Sequence, residues 1–178
     1  HITGLNTVIA ELRTKAFMEY PPKTETPIYQ ELKNTVNRKK VPVITAVRGE
    51  SYPVGNETWL HILYPNTNAA ETFYEGNDNN LSLVILLECG DASVLFTGDI
   101  EKGVEYYLTG RMNKQVSILK AAHHGSNTSS TDAFLEVVSP KYAVIQSGTN
   151  PFGHPNPNTL ERLTSHDVAV YRNDLHGA

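Results

Sequence analysis

The chain has 178 residues, enough for one domain with a real core and too few for two of typical size. With 39% hydrophobic and 19% charged residues it is globular rather than disordered, and its single cysteine, Cys89, excludes an internal disulfide and a multi-cysteine zinc site. A net charge of −4 without a long basic block argues against holding nucleic acid by charge alone, so a polyanionic substrate would need a metal and a local groove.

In chain order, Leu5, Val8, Ile9 and Leu12 fall at helical spacing and predict a helix beginning just after Gly4. Pro21-Pro22 breaks it. A second helix is expected over 28–38, with Tyr29, Leu32 and Val36 on one face. From residue 41 the texture is β. Short strands are expected at 41–47, 59–65, 81–88 and 93–97, separated by turns at Arg48-Gly49, Gly55-Asn56, Gly76-Asn77 and Cys89-Gly90-Asp91. The Asn-, Thr- and Gly-rich stretch 65–80 reads as a loop, and the strands flanking Cys89-Gly90-Asp91 as a hairpin. Helices are then expected at 102–108, 131–138 and 157–164, alternating with strands at 116–122, 142–146 and 169–171. That alternation predicts α/β layers with chemistry in the polar loops at strand ends. No apolar run approaches the ~20 residues that span a bilayer.

Several of those loops carry reactive side chains. Asp99 ends the run Leu95-Phe96-Thr97-Gly98, where glycine permits a sharp turn and a carboxylate at the sheet edge can bind one divalent ion or bridge two. The competing reading is a cap on the next helix. His123-His124-Gly125-Ser126 follows an apolar strand, and neutral imidazole is the commonest metal-binding side chain. Neighbours on an extended chain point to opposite sides, so one histidine would face a metal and the other a substrate or a supporting carboxylate. A surface pair with no role is the alternative. His154, held between Gly153 and Pro155, is placed to protonate a leaving group or bind a phosphate, or is an ordinary loop histidine. Asn77-Asp78-Asn79-Asn80 leads into Leu81-Ser82-Leu83-Val84 and alone would be a plain turn.

Together, Phe96-Thr97-Gly98-Asp99, His123-His124-Gly125-Ser126, Gly153-His154-Pro155 and Asn80-Leu81-Ser82-Leu83-Val84 resemble the metallo-β-lactamase-like domain of ComEC-type competence proteins. The similarity covers roughly 59–177 and the first few residues, where His1-Ile2-Thr3-Gly4-Leu5 resembles the tail of a His-x-His-x-Asp-His-x-x-Gly signature. The resemblance implies an α/β metallo-β-lactamase fold, an αββα sandwich of two packed sheets flanked by helices. On this reading residues 1–178 form a single domain fragment, with the first strands and the rest of the signature lying upstream. His1, Asp99 and His124 are then the metal ligands, and His123 and His154 the catalytic side chains, the two adjacent histidines being exchangeable. Asn80, Ser82 and Ser126 are substrate contacts or outer supports of the site. Many members of the wider superfamily carry a metal-binding histidine where this chain has Asn79-Asn80-Leu81-Ser82, a feature that ComEC-type domains share. An amide oxygen is a harder and weaker ligand than imidazole, which favours a loosely held centre of one or two zinc or manganese ions.

The implied function is a metal-dependent phosphodiesterase, the nuclease domain of a DNA-uptake protein. It would act on single-stranded DNA at the extracytoplasmic face of a bacterial membrane, within a larger membrane-embedded chain and with no protein partner. Two alternatives stay open: a stand-alone hydrolase of small phosphodiesters, secreted or cytoplasmic, and a degenerate domain that binds nucleic acid or a partner without catalysis. Hydrolysis of antibiotics is disfavoured, because Cys89 falls at a hairpin rather than beside the expected metal.

Overall fold

The computed structural model describes residues 2–177, and the chain divides after Ala46 into two compact units. The first carries helix α1 (Ile2–Glu11), strand β1 (Phe17–Glu19), helix α2 (Pro27–Arg38) and strand β2 (Val43–Thr45), with β1 and β2 paired in parallel. Thr26 caps α2 by accepting a hydrogen bond from the Tyr29 N–H at 3.2 Å, and Pro27 fits the first turn, where an N–H has no helical partner. The inward face of α2 places Leu32 and Val36 beside Ile9 in a small core. Helix α1 begins before Gly4, not after it, and ends well ahead of Pro21-Pro22, leaving room for the three-residue strand β1, too short to show an alternation.

The second unit, from Val47, is built on a seven-stranded sheet whose strands neighbour one another in chain order. They are β3 (Ser51–Gly55), β4 (Thr58–Tyr64), β5 (Val84–Cys89), β6 (Ala92–Phe96), β7 (Ile118–Lys120), β8 (Tyr142–Ile145) and β9 (Ala169–Arg172). Pairing is antiparallel from β3 to β6 and parallel from β6 to β9. Chain connectivity explains the change. Cys89 pairs with Ala92, so only Gly90-Asp91 links β5 to β6, and so short a link permits only a hairpin. Each later link contains a helix, α4 (Lys102–Thr109), α5 (Asp132–Val138) or α6 (Pro157–Ser165), which supplies the crossover that parallel strands require. A short helix, α7 (Asn173–His176), follows β9.

Leu86, Leu95, Leu119 and Ala143 stand in register across β5 to β8 and are buried, in one core with Val104 and Leu108 of α4, Phe134 and Leu135 of α5, and Leu163 of α6. Each buried leucine contributes about 1.5–3 kcal/mol relative to exposure. On the opposite face Leu87, Val94 and Ile118 are half-buried and Phe96 is exposed.

Two expectations need correction. Residues 65–80 are not a loop: they contain helix α3 (Thr67–Tyr74) and a 3-10 turn (Asp78–Leu81). The asparagine that suggested a loop, Asn66, instead accepts the Ala69 N–H at 2.8 Å as the helix cap, and Ala69 and Ala70 are buried. Strand β3 was not anticipated, because Pro53 and Gly55 interrupt its pattern; both are tolerated because it lies at the sheet edge. Because β6, β7 and β8 are parallel, their carboxyl ends share one edge of the sheet, the usual place for a site in such layers.

Candidate functional site

Asp99 sits in the turn that leaves β6. Thr97 ties this turn to β7 by donating its hydroxyl hydrogen to the Lys120 carbonyl at 2.7 Å. Gly98 has φ +56°, and a Cβ built on it would stand 2.5 Å from the Ser82 Cβ. This close approach lets Ser82 Oγ accept the Asp99 N–H at 3.0 Å. Asn80 Oδ1 accepts the Glu101 N–H at 3.0 Å, and the Asn80 carbonyl accepts the Tyr64 hydroxyl at 2.7 Å. Asn80 and Ser82 therefore use these atoms to brace the turn that presents Asp99. Asp99 is not the cap of α4, since Glu101 occupies that position and makes no side-chain cap bond. The buried Lys120 ammonium donates to the Gly98 carbonyl at 2.7 Å and lies 3.5 Å from Asp99 Oδ1. Burial pushes the Lys120 pKa down, and the Asp99 carboxylate opposes that shift. Gly98→Ala is expected to cost about 2–4 kcal/mol, combining the left-handed backbone with the overlap on Ser82. A urea melt of the variant checks this.

The two adjacent histidines are not on extended chain. They lie in a 3-10 turn (Ala122–Gly125) with φ of +49° at His123 and +55° at His124, a conformation that L residues adopt at a cost. They consequently do not project to opposite sides; their ring centroids are 6.4 Å apart. His124 Nδ1 lies 2.5 Å from the Gln146 carbonyl and donates to it, which leaves Nε2 as the lone-pair nitrogen. That Nε2 is 3.8 Å from Asp99 Oδ2. His123 turns elsewhere. Its Nε2 is 3.4 Å from Asn79 Nδ2, its Nδ1 faces Glu101 Oε1 at 3.7 Å, and its ring centroid is 5.5 Å from that of His154. Among the described residues neither His123 Nδ1 nor His154 Nδ1, both buried, has a hydrogen-bond partner.

Gly125, φ +77°, seats this turn on the next loop: a Cβ there would come 2.8 Å from Pro155 Cβ, and its carbonyl accepts the Asn156 N–H at 2.8 Å. Ser126 closes its own loop, its hydroxyl 3.0 Å from that of Thr128 and its carbonyl accepting the Thr159 hydroxyl at 2.9 Å. Further along, the buried Glu105 of α4 accepts the Ser130 N–H at 2.6 Å and the Thr131 N–H at 2.8 Å. Burial pushes the Glu105 pKa up; the two N–H donors and the Arg162 charge oppose it. In the loop after β8, Asn150 Oδ1 accepts the N–H groups of both Phe152 and His154 at 3.0 Å, while its Nδ2 donates to the His154 carbonyl at 2.6 Å. Burial lowers the His154 pKa, the neighbouring His123 and His124 act in the same direction, and the Asp99 carboxylate opposes the shift. His124, Gln146, Ser147, Asn150, Phe152 and His154 line a cleft of about 490 Å³.

The donor chemistry suits a divalent ion in one respect. A carboxylate oxygen and an imidazole nitrogen 3.8 Å apart have the separation of two ligands on a common ion with bonds of about 2.0–2.2 Å, and the Nδ1 bond to a backbone carbonyl is the usual support of a metal-binding imidazole. Among the described residues no group of three or more His, Cys, Asp or Glu side chains gathers around that point. His1, expected as a ligand, lies outside the described residues. Glu101, Lys120 and Asn150 were missed. Glu101 follows Asp99 by two positions, the spacing that puts side chains on one side of extended chain. Lys120 is a lone charge in an apolar strand, which is a signal of a buried polar role. Asn150 gave no signal beyond its place in a loop.

The model of the metallo-β-lactamase superfamily matches residues 1–148, most of the chain. The chain belongs to this superfamily. Its metallo-β-lactamase fold is also found in a solved structure, that of a candidate metal-dependent hydrolase of Parabacteroides distasonis, with a TM-score of 0.52 over 92% of this chain and 78% of that one at 10% identity. Among curated relatives, competence protein ComA of Neisseria gonorrhoeae is 41% identical over 105 residues, 57% of this chain and 15% of that protein. ComE operon protein 3 of Bacillus subtilis (strain 168) is 35% identical over 120 residues, 66% of this chain and 15% of that protein. Recombination protein 2 of Haemophilus influenzae is 39% identical over 101 residues, 56% of this chain and 13% of that protein. The chain thus spans only about one seventh of the length of these relatives.

Proposed function

We propose that the chain is a metal-dependent phosphodiesterase, the nuclease domain of a DNA-uptake protein, with zinc or manganese as its ion. The observation that carries this reading is the 3.8 Å approach of Asp99 Oδ2 and His124 Nε2, beside two further imidazoles with unpartnered buried nitrogens. Superfamily membership, one relative named as a competence protein and another named as a recombination protein support the choice of a polyanionic substrate.

Asp99 and His124 would hold the ion. A divalent ion in that position supplies Lewis acidity to a water and to a phosphoryl oxygen. The protein's own part is positional. Ser82 and Lys120 fix the turn that aims Asp99, and the Gln146 carbonyl fixes the ring of His124. His123, with Glu101 Oε1 at 3.7 Å from Nδ1, is placed to pass a proton to a leaving oxygen. His154, whose burial disfavours the charged form, is placed to hydrogen-bond a phosphoryl oxygen as its charge grows in the transition state. His154→Ala is therefore expected to slow turnover by about 10²–10⁴-fold with metal content unchanged, as measured by single-turnover cleavage alongside elemental analysis.

No helix among the described residues is long and apolar enough to cross a membrane. The proposed location, the extracytoplasmic face of a bacterial membrane, follows from the resemblance of the motifs to those of ComEC-type competence proteins. The test is cleavage of single-stranded DNA with added manganese or zinc, compared with a small aryl phosphodiester. DNA cleavage is expected. Cleavage of the small ester alone would favour a stand-alone hydrolase, and inertness of a folded, metal-loaded protein toward both would favour a binding module.

A further inference from the structure

We propose that Phe152 is a stacking platform for an unpaired nucleobase, so that the site selects single-stranded nucleic acid; this inference rests on the phosphodiesterase reading above. Phe152 is 77% exposed, the most exposed of the large apolar side chains among the described residues. Its position is not that of a stray surface residue. It lines the same cleft as His124 and His154, and its ring lies 5.9 Å from the His154 ring at an interplanar angle of 26°. The imidazole lies beside the phenyl ring, most of whose surface is open to solvent. A phosphodiester held at the histidines would bring the adjoining nucleoside, one sugar away, to the neighbourhood of that ring.

The loop that carries the ring is braced by side-chain hydrogen bonds to its backbone. Asn150 Oδ1 accepts the Phe152 N–H, and Asn150 Nδ2 donates to Gly148 O at 2.8 Å and to His154 O at 2.6 Å. Ser147 Oγ also donates to His154 O at 2.9 Å. A loop already ordered in this way loses little further backbone freedom on binding. Charge points the same way. The cleft lining contains no lysine and no arginine, so away from the ion and the histidines backbone phosphates gain little from it, and the flat apolar face is left to supply the attraction. Every base has such a face, and stacking of this kind tolerates sequence. In a duplex those faces are already covered by neighbouring base pairs. A cationic headgroup is a poorer fit, because the lining offers neither a carboxylate nor a second aromatic ring of the cage that quaternary ammonium groups use.

The test uses the 178-residue chain loaded with manganese and two octamers with hydrolysis-resistant phosphorothioate linkages, one of thymidylates and one abasic. Both carry the same backbone charge, and binding is read by fluorescence anisotropy. The wild-type chain is expected to bind the thymidylate octamer about 5- to 150-fold more tightly than the abasic one. Phe152→Ala should erase that difference, and Phe152→Trp should keep or enlarge it. Equal wild-type binding of the two octamers, or an equal loss on both in Phe152→Ala, overturns the stacking role while leaving the phosphodiester reading intact. Failure to bind either octamer overturns both.

Discussion

Replacing Asp99 or His124 with alanine is expected to lower phosphodiesterase activity by at least about 10²-fold and to lower the bound divalent metal in parallel. The lower bound follows from what happens when only the outer partner of a ligand is lost, which already costs 10–100-fold in affinity or activity. Here the donor itself would go. The two variants should also differ in a way the geometry dictates. Asp99→Ala strips Lys120 of the carboxylate 3.5 Å away and leaves its buried ammonium on the Gly98 carbonyl alone, so some loss of stability accompanies the loss of metal. His124, part-exposed at the carboxyl edge of the sheet, should lose metal with little change in melting. Elemental analysis, cleavage of single-stranded DNA and a circular-dichroism melt on the same preparations separate these effects. Retention of full activity by either variant would remove both residues from the proposed centre.

The second large effect concerns a residue that touches no candidate ligand. Glu105→Ala is expected to destabilise the second unit by about 3–5 kcal/mol, in the range found when one member of a buried charged network is removed. Glu105 is fully buried on α4 and reaches across to the loop that follows the histidine turn, where it accepts two successive backbone N–H groups. Alanine leaves both donors without an acceptor and takes away the carboxyl group that faces Arg162. Arg162 holds the carbonyls of the same loop, Ser129 and Ser130, each at 2.9 Å, so the two side chains pin one segment from both its N–H and C=O sides. Glu105→Gln, which keeps one oxygen acceptor, should lose less. Urea denaturation of the two variants measures the difference. An unfolding free energy for Glu105→Ala within about 0.5 kcal/mol of wild type, the usual effect of a surface substitution, would contradict this account.

Glu105 also marks what could be read in advance. A glutamate in the middle of an amphipathic helix looks the same in sequence whether it is solvated or buried, and only the arrival of the loop 129–131 decides. The strands and helices of the second half were legible because their apolar runs are long enough to fix a period and are punctuated by glycine, proline and asparagine. The same punctuation misled at 65–80, where Asn66 is a helix cap, and at Pro53 and Gly55, which hid an edge strand. The reactive side chains were legible for a different reason: Asp99, His123, His124 and His154 all follow strand ends, and parallel strands gather their ends. What could not be read was how the gathered groups are aimed. The left-handed backbone at His123 and His124 replaces the alternation assumed for extended chain, and it is this turn that directs one ring to Asp99 and the other toward Glu101 and His154.

The most direct measurement is anomalous diffraction from a crystal of the protein soaked in manganese or zinc. A peak is predicted within about 2.0–2.3 Å of both His124 Nε2 and Asp99 Oδ2. A well-ordered site with no peak there, or a peak bound elsewhere on the molecule, would contradict the claim that these two side chains hold the metal.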